Sequence, residues 1–308
     1  MAKDNQVTIF EVGPRDGIQN ESHAVTFKDK IWLVNGLVEA GVRELELGAF
    51  VRPDRVPQMA DTDKLFAAIE GGQLKLGRAR AWSLVPNLKG LERAIAAGAK
   101  QIAVFTSATE TFALKNIGMS IADSLKVFAE VVKEAKSHGL LVRGYVSMAF
   151  GCPFEGAVAP KKALKVIEKM ADIGVFQVSI GDTIGVATPR GVDAVIGPAL
   201  KMLGPKKIAV HFHDTRGTAL ANALRALQLG VRVMDSSAGG LGGCPFAPSA
   251  TGNVPTEDLV YMLHDMGFET GIDLDLLSRV SYGFASRIKR PVTGRYLQAF
   301  AATRRASC

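Results

Sequence analysis

A strand-like apolar run followed by a helix-like amphipathic run recurs eight times, and this alternation constrains the fold more than any other feature. Strand candidates begin near Val7, Arg43, Arg80, Gln101, Val142, Val175, Ile208 and Val233. Helical patterns occupy residues 28–40, 62–69, 88–97, 121–137, 161–173, 189–203, 220–229 and 256–266. Several of them end at a glycine between apolar residues, where the chain can turn back. Such alternation predicts a parallel sheet with helical crossovers. Eight units match a closed (β/α)8 TIM barrel, which takes roughly 250 residues.

The 308 residues are predicted to form a single catalytic domain, residues 1–308. The barrel would span about residues 7–266, and a helical addition would span about residues 267–300. Within that addition, residues 273–287 have the pattern of one extra helix. The last residues, AATRRASC, are expected to be loose. No linker rich in proline, glycine or serine marks a second domain.

Composition and charge narrow the function classes. Hydrophobic residues make up 47% of the chain and charged residues 22%, as in ordinary globular proteins. The net charge of +7 is scattered, so it favours an anionic small substrate over nucleic acid. No apolar run reaches about 18 residues, so no membrane span is predicted. The three cysteines form no CxxC pair and MAKDNQ has no signal-peptide core, which predicts a cytoplasmic protein. A homodimer is expected from base rates alone.

Candidate site residues follow the first, seventh and eighth strands. In a TIM barrel the active site lies at the carboxyl ends of the strands. Arg15 and Asp16 follow the first strand at once, and His211 and His213 share one side of the seventh by period two. Asn253 lies in the loop after the eighth strand. The first and eighth strands are neighbours only if the barrel closes, and closure would gather these residues.

Two histidines with oxygen donors suit a divalent cation held by Asp16, His211, His213 and Asn253. Mg²⁺, Mn²⁺, Co²⁺ and Zn²⁺ all remain candidates. The mixed nitrogen and oxygen set differs from a structural zinc site rich in cysteine. The alternative for the histidines is two core side chains bonded to the backbone. For Arg15 and Asp16 it is an ion pair or a helix cap.

Residues 239–253, GGLGGCPFAPSATGN, are predicted to form a long functional loop between the eighth strand and a helix. Cys244 lies in the middle of this loop, where glycines let the backbone approach a ligand closely. The alternative for Cys244 is a small buried apolar residue. Cys152 is predicted to be structural, and Cys308 is terminal and free.

Further candidates lie at the ends of other strands. Glu46 lies near the end of the second strand, where a salt bridge is the simpler role. Asp182 and Thr183 end the sixth strand, where a capping aspartate is the competing interpretation. Arg143 and Tyr145 share one face of the fifth strand, and they line the barrel only if that face is inward.

The chain resembles the hydroxymethylglutaryl-CoA lyase family. The resemblance rests on VTIFEVGPRDGIQNE, GCPFEG, SIGDTIGVATP, HFHDTRGTALANAL and GGLGGCPFAPSATGNVPTEDLVYML, and it covers about residues 7–288. It implies a metal-dependent TIM-barrel enzyme that cleaves 3-hydroxy-3-methylglutaryl-CoA to acetyl-CoA and acetoacetate. The family's metal ligands fall on Asp16, His211, His213 and Asn253.

The resemblance also implies catalytic roles, which fall on Arg15, Asp16, His211, Cys244, Glu46 and Asp182. Either His211 or Asp16 would remove the substrate's hydroxyl proton, and Arg15 would stabilise the enolate oxygen. Cys244 would deliver a proton to the new acetyl carbon. The expected substrate contacts are Arg15, Gln19, Asn20, Arg143, Tyr145, Thr183 and Arg216.

Some positions depart from the family pattern. Arg216 stands where tyrosine is usual, Gly48-Ala49 replaces Thr-Ser, and Arg52 and Arg55 add positive charge. A related 3-hydroxyacyl-CoA is therefore an alternative substrate. Two further alternatives are a condensing enzyme like isopropylmalate synthase or a hydroxy-oxoacid aldolase on the same barrel. The last alternative is a non-catalytic binding barrel, which would not need the complete set of site residues.

Overall fold

Eight parallel strands close into a barrel in the computed structural model, which confirms the predicted (β/α)8 architecture. The structure describes residues 5–21, 24–244 and 247–306, with the backbone alone for residues 244, 247–251 and 304–306. The barrel strands are β1 (Thr8–Glu11), β2 (Glu44–Ala49), β3 (Arg80–Leu84), β4 (Gln101–Ser107), β5 (Leu141–Ser147), β8 (Gln177–Asp182), β9 (Ile208–Phe212) and β10 (Val233–Ser236). Each begins within two residues of its predicted start.

Four short strands form two hairpins outside the barrel. They are β6 (Gly151–Cys152) with β7 (Gly156–Ala157), and β11 (Gly243–Cys244) with β12 (Ala247–Thr251). The second hairpin follows a 3₁₀ turn at Ala238–Gly240. The stretch predicted as an unstructured loop, residues 239–253, is therefore a turn and a hairpin.

The helices lie between the strands and after the barrel. They are α1 (Phe27–Glu39), α2 (Thr62–Glu70), α3 (Leu88–Ala96), α4 (Glu110–Ile117), α5 (Ile121–Ser137), α6 (Pro160–Asp172), α7 (Pro189–Leu203), α8 (Ala219–Gln228), α9 (Thr256–Asp265), α10 (Leu274–Arg287) and α11 (Arg295–Ala306). The extra helix predicted at 273–287 is α10. The prediction that the last residues are loose was wrong for residues 301–306, which continue α11. Cys308 lies outside the described part of the chain. No described helix is long and apolar enough to cross a membrane.

Side-chain caps and glycines set several helix boundaries. The Thr26 side chain accepts a hydrogen bond from the amide of Asp29 and begins α1, and Ser120 does the same for α5. Gly41 ends the first strand–helix unit with φ of 101°. A Cβ atom at Gly41 would lie 2.2 Å from the carbonyl oxygen of Gly271, so this turn requires glycine.

The barrel closes between its first and last strands. In β1, Phe10 pairs with Asp235 of β10 on one side and with Glu44 of β2 on the other. Phe10, Val12 and Trp82 form an apolar cluster separate from the main core. The guanidinium of Arg143 lies 3.8 Å from the centre of the Phe10 ring. The barrel interior is therefore filled below the level of the strand ends.

Replacing Gly41 by alanine is expected to destabilise the protein more than replacing Gly230. Both glycines end strand–helix units at similar φ, 101° and 107°, but no atom lies within 4 Å of a Cβ at Gly230. Gly230→Ala should cost about 1–2 kcal/mol for the backbone conformation alone. Gly41→Ala should cost at least about 1 kcal/mol more because of the clash. Urea unfolding of both variants measures the difference, and equal midpoints would contradict it.

Candidate metal and acyl-CoA site

Three potential metal ligands meet at the carboxyl ends of β1 and β9. The ligand atoms of Asp16, His211 and His213 all lie within 4.8 Å of one another. The two imidazole Nε2 atoms are 3.1 Å apart. Asn253, the fourth predicted ligand, donates through Nδ2 to Oδ2 of Asp16 at 2.9 Å, and its backbone forms a bridge with His213. The four residues predicted from strand order are therefore adjacent.

A tight turn presents Arg15 and Asp16 to this point. The amides of Arg15, Asp16 and Gly17 all donate to the carbonyl oxygen of Val12, which forms a π-helical turn over Gly13–Gly17. A Cβ atom at Gly17 would lie 2.7 Å from the side chain of Leu241. The turn thus packs directly on the segment that follows β10.

Arg15 is held between two carboxylates. Its Nε donates to Oε2 of Glu46 at 2.7 Å, and its Nη1 donates to Oδ1 of Asp16 at 2.6 Å. Burial lowers the pKa of Arg15, but Glu46 and Asp16 outweigh it and raise that pKa overall. Both simpler roles considered for these residues, the neighbour ion pair and the Glu46 salt bridge, are present. They fix the guanidinium at the cavity wall, because Arg15 and Asp16 both line the cavity described below.

A buried aspartate that the sequence analysis missed orients His211. Oδ2 of Asp235 lies 3.2 Å from Nδ1 of His211 and accepts a hydrogen bond from Ser179 at 2.8 Å. Nη2 of Arg143 donates to the other oxygen at 2.6 Å. With Nδ1–H donated to Asp235, Nε2 of His211 keeps a lone pair toward His213 and Asp16. A charged residue inside the apolar run VRVMDSS was the available signal, because such a residue needs a buried partner.

The charges at this point fit a bound cation. Burial, and then the neighbouring His211, lower the pKa of His213 to about 3, so its ring is neutral at pH 7. Although burial opposes it, Arg15 and His211 lower the pKa of Asp16, which stays ionised. The buried Nδ1 of His213 has no hydrogen-bond partner among the described residues. Burial lowers the pKa of His211, but Asp235 and Asp16 outweigh it and raise that pKa overall, so a bound divalent cation would have to displace a proton from this ring. Two imidazole nitrogens facing a carboxylate are a donor set for a divalent metal.

The other predicted residues are placed at different depths. Arg143 is fully buried and donates to Gln177, Tyr145 and Asp235, so it lies beneath the site and does not line the cavity. Asp182 accepts from the amides of Val186 and Ala187, as the capping interpretation expected, and burial raises its pKa. Arg216 donates to the carbonyl oxygens of Ile184 and Gly185, away from the cavity lining.

A cavity of about 600 Å³ opens from the candidate metal ligands to the surface. The predicted substrate contacts Gln19, Asn20, Tyr145 and Thr183 line it, together with Arg15. Its apolar wall includes Leu84, Phe105 and Phe112, and its cationic side chains include Arg52, Arg55 and Lys115. Gly243 lines it too, and Cys244 follows in β11, although its side chain lies outside the described part of the chain.

The HMGL-like family model matches residues 6–282. The chain belongs to the HMGL-like family. It is 46% identical over 294 residues to the mitochondrial hydroxymethylglutaryl-CoA lyase of Bos taurus, covering 96% of this chain and 89% of the relative. The human mitochondrial enzyme of the same name is 45% identical, with the same coverage.

Solved structures of the HMGL-like family have the same barrel. A hydroxymethylglutaryl-CoA lyase from Pseudomonas aeruginosa has a TM-score of 0.93 at 41% identity, covering 97% of this chain and 98% of its own. An HMG-CoA lyase from Acinetobacter baumannii in complex with coenzyme A and 3-methylmalate has a TM-score of 0.90 at 35% identity, covering 97% of this chain and 96% of its own.

Replacing Asp235 by asparagine is expected to weaken divalent-cation binding by about 10- to 100-fold, the usual effect of losing a partner of a metal-ligating histidine. The amide can donate to Nδ1 and favour the wrong tautomer of His211. Titration calorimetry with Mn²⁺ measures the affinity. The control is Asp193→Asn, which alters an exposed pair with Arg225. An unchanged Mn²⁺ affinity in Asp235→Asn would show that the tautomer does not matter.

Proposed function

We propose that this protein is a divalent-metal-dependent lyase that cleaves 3-hydroxy-3-methylglutaryl-CoA to acetyl-CoA and acetoacetate. The observation that carries the proposal is the position of Arg15 beside the cluster of Asp16, His211 and His213, at one end of the cavity. The names of the relatives in the HMGL-like family support the same substrate.

The reaction sets three chemical demands. The tertiary hydroxyl must lose its proton, and its oxygen becomes the ketone of acetoacetate. The electrons of the broken C–C bond pass to the thioester as an enolate. A proton must then reach the acetyl carbon. An enzyme accelerates these steps through groups that bind the transition state, with its developing charges, more strongly than they bind the substrate.

Asp16, His211, His213 and Asn253 would hold the cation. When bound, it supplies Lewis acidity that lowers the pKa of the substrate hydroxyl and orients it. Mg²⁺ or Mn²⁺ is our first expectation, and Co²⁺ or Zn²⁺ also fits imidazole ligands.

The protein's own groups serve the remaining demands. The guanidinium of Arg15, fixed by Glu46 and Asp16, would donate to the enolate oxygen as its charge develops. The hydroxyl proton would leave toward Asp16 or His211. Cys244 follows the cavity-lining Gly243, and we assign it the delivery of the proton to the acetyl carbon. Asp182 would act from outside the cavity lining by fixing the turn after β8.

Two of the departures from the family pattern, Gly48-Ala49 and Arg216, lie outside the cavity lining, whereas Arg52 and Arg55 line it. Gly48 and Ala49 are buried and do not line the cavity. A Cβ atom at Gly48 would lie 2.5 Å from the hydroxyl oxygen of Thr62, so the Thr62 side chain fills the space of the missing one. Arg216 also lies off the wall. This supports the 3-hydroxy-3-methylglutaryl group over a longer 3-hydroxyacyl group.

The cationic side chains suit the phosphates of CoA. Arg52 and Arg55 are exposed residues that also line the cavity, and the ammonium of Lys115 lies 4.1 Å from the centre of the Phe154 ring. An anionic ligand would be drawn to such a cluster.

We further propose a cytoplasmic homodimer. The rat cytoplasmic lyase, 44% identical, supports this compartment, whereas other relatives are named mitochondrial.

Purified protein, stripped with a chelator, is expected to release acetyl-CoA from 3-hydroxy-3-methylglutaryl-CoA only after Mg²⁺ or Mn²⁺ is restored. Asp16→Ala should abolish this release, because the carboxylate both binds the cation and pairs with Arg15. Cys244→Ala should keep Mn²⁺ affinity and lose turnover. Asp193→Asn is the control with full activity.

Each result has a clear contrary outcome. If the wild-type protein binds Mn²⁺ and CoA but releases no acetyl-CoA, its substrate is another 3-hydroxyacyl-CoA. Full turnover in Cys244→Ala would show that the cysteine does not deliver the proton.

Replacing Arg55 by alanine is expected to raise the KM for the CoA thioester by about tenfold, the value of one charge-assisted contact. The KM for the pantetheine thioester, which lacks the nucleotide phosphates, should stay the same. The control is Arg225→Ala, which removes an equal charge on α8. An equal rise for both thioesters would show that Arg55 does not contact the phosphates.

A further inference from the structure

The connection between α10 and α11, residues 288–294, contacts the base of the β11–β12 hairpin. Nη2 of Arg290 donates to the carbonyl oxygen of Gly242 at 2.7 Å. The Thr293 hydroxyl donates to the carbonyl oxygen of Gly239 at 3.3 Å. A Cβ atom at Gly240 would lie 2.7 Å from that hydroxyl oxygen, so the two segments pack closely.

Arg290 also reaches the connection between β1 and α1. Its Nη1 lies 3.0 Å from Oε1 of Glu21, and the two side chains are only 16% and 14% exposed. Burial lowers the pKa of Arg290 and the charge of Glu21 opposes that shift, while Nη1 makes no hydrogen bond among the described residues. The contact with Glu21 is therefore purely electrostatic, and at this burial it is screened less than a surface pair. Glu21 closes the same short segment that carries Asp16, Gln19 and Asn20 into the site.

The backbone conformation at Lys289 sets the position of Arg290 at the end of α10. Lys289 adopts φ of 53°, one of two non-glycine residues in the described chain with a left-handed backbone. This conformation lets the amide of Arg290 donate to the carbonyl oxygen of Ala285 at 2.8 Å, which ends α10. Strain at a lysine is retained where the surrounding contacts require it.

Gly242, the partner of Arg290, lies against two of the candidate metal ligands. At its φ of 110°, a Cβ atom would be 2.9 Å from Nδ2 of Asn253 and 3.8 Å from the carbonyl oxygen of Asp16. Asn253 donates from the same Nδ2 to the carbonyl oxygen of Leu241 and to Oδ2 of Asp16. Gly242 therefore packs closely on both Asp16 and Asn253.

We propose that Arg290 is a positioning residue of the active site, which joins the hairpin base at Gly242 to the β1–α1 connection at Glu21. By holding these two segments together, it keeps Asp16 and Asn253 at the separation that cation binding requires. The inference rests on the proposed function only for its activity readout.

Arg290→Ala is the direct test, measured by three readouts. Mn²⁺ affinity and kcat/KM should each fall by about tenfold or more, as when a partner of a metal ligand is lost. Amide hydrogen exchange should accelerate in residues 239–253 and leave the strands β3, β4 and β5 unchanged. Arg287→Ala is the matched control, because it removes an equal charge at the end of α10 from an arginine that contacts Asp29 and Trp32 instead.

Two further variants separate the contacts of Arg290. Glu21→Gln removes the ion pair and keeps the bond to Gly242, so it should produce a smaller loss than Arg290→Ala. Arg290→Lys keeps the charge and should restore part of the Mn²⁺ affinity. Unchanged exchange and affinity in Arg290→Ala would overturn the proposal, as would acceleration spread equally over the barrel strands. If the wild-type protein fails to cleave the proposed substrate, exchange and Mn²⁺ affinity still decide the role of Arg290.

Discussion

The parallel pairing of β1 with β10 is the constraint on which the site depends. It places the turn after β1 beside the carboxyl ends of β10 and β9, although these elements lie at opposite ends of the chain. Asp16 meets His211 and His213 only because of this closure. In an open sheet, β1 and β10 would be separate edges and the ligand set would not exist. The convergence of the candidate metal ligands therefore depends on closure of the barrel.

Buried charges carry that geometry from the backbone to the reacting groups. Glu46 fixes Arg15, and Arg143 fixes Asp235, which orients His211. Buried ion pairs add little net stability, because desolvation cancels much of the attraction. Their contribution here is direction: each buried acid selects one orientation of a basic side chain. A cation-binding site needs such fixed directions more than it needs extra stability.

The sequence was sufficient to predict the eight strands, because each is a compact apolar run closed by glycine or polar residues. It was also sufficient to predict the convergence of Asp16, His211, His213 and Asn253, because period two and strand order determine which side chains share a face and an end. It was harder to predict how deep in the barrel each side chain of a strand lies. Arg143 and Tyr145 share a face of β5, yet Tyr145 lines the cavity and Arg143 lies below it, nearer the start of the strand.

Other features required knowledge of neighbours that no local pattern contains. Asp235 pairs with His211 through the register of β10 on β9, which a single strand does not reveal. The hairpin of β11 and β12 escaped prediction because its strands are short and contain glycine and proline, residues that normally indicate loops. Arg290 escaped it because its target is a backbone carbonyl, and a carbonyl has no sequence signature.

The glycine-rich stretch before and within the β11–β12 hairpin needs flexible residues in a fixed conformation. Glycine gives residues 239–243 the backbone angles needed to pass close to Asp16, but it also leaves them the most conformational entropy to lose. The structure compensates through side chains of other segments, which hydrogen-bond to peptide groups within and next to this stretch. Glu11 accepts from the amide of Ala238, Glu257 accepts from that of Gly239, and Arg290 donates to the carbonyl of Gly242. Burial raises the pKa of both glutamates to about 7, so these tethers carry a desolvation cost. Both glutamates accept from adjacent amides at the start of the turn, so that cost is borne where the chain leaves β10 toward Asn253 and the cavity wall.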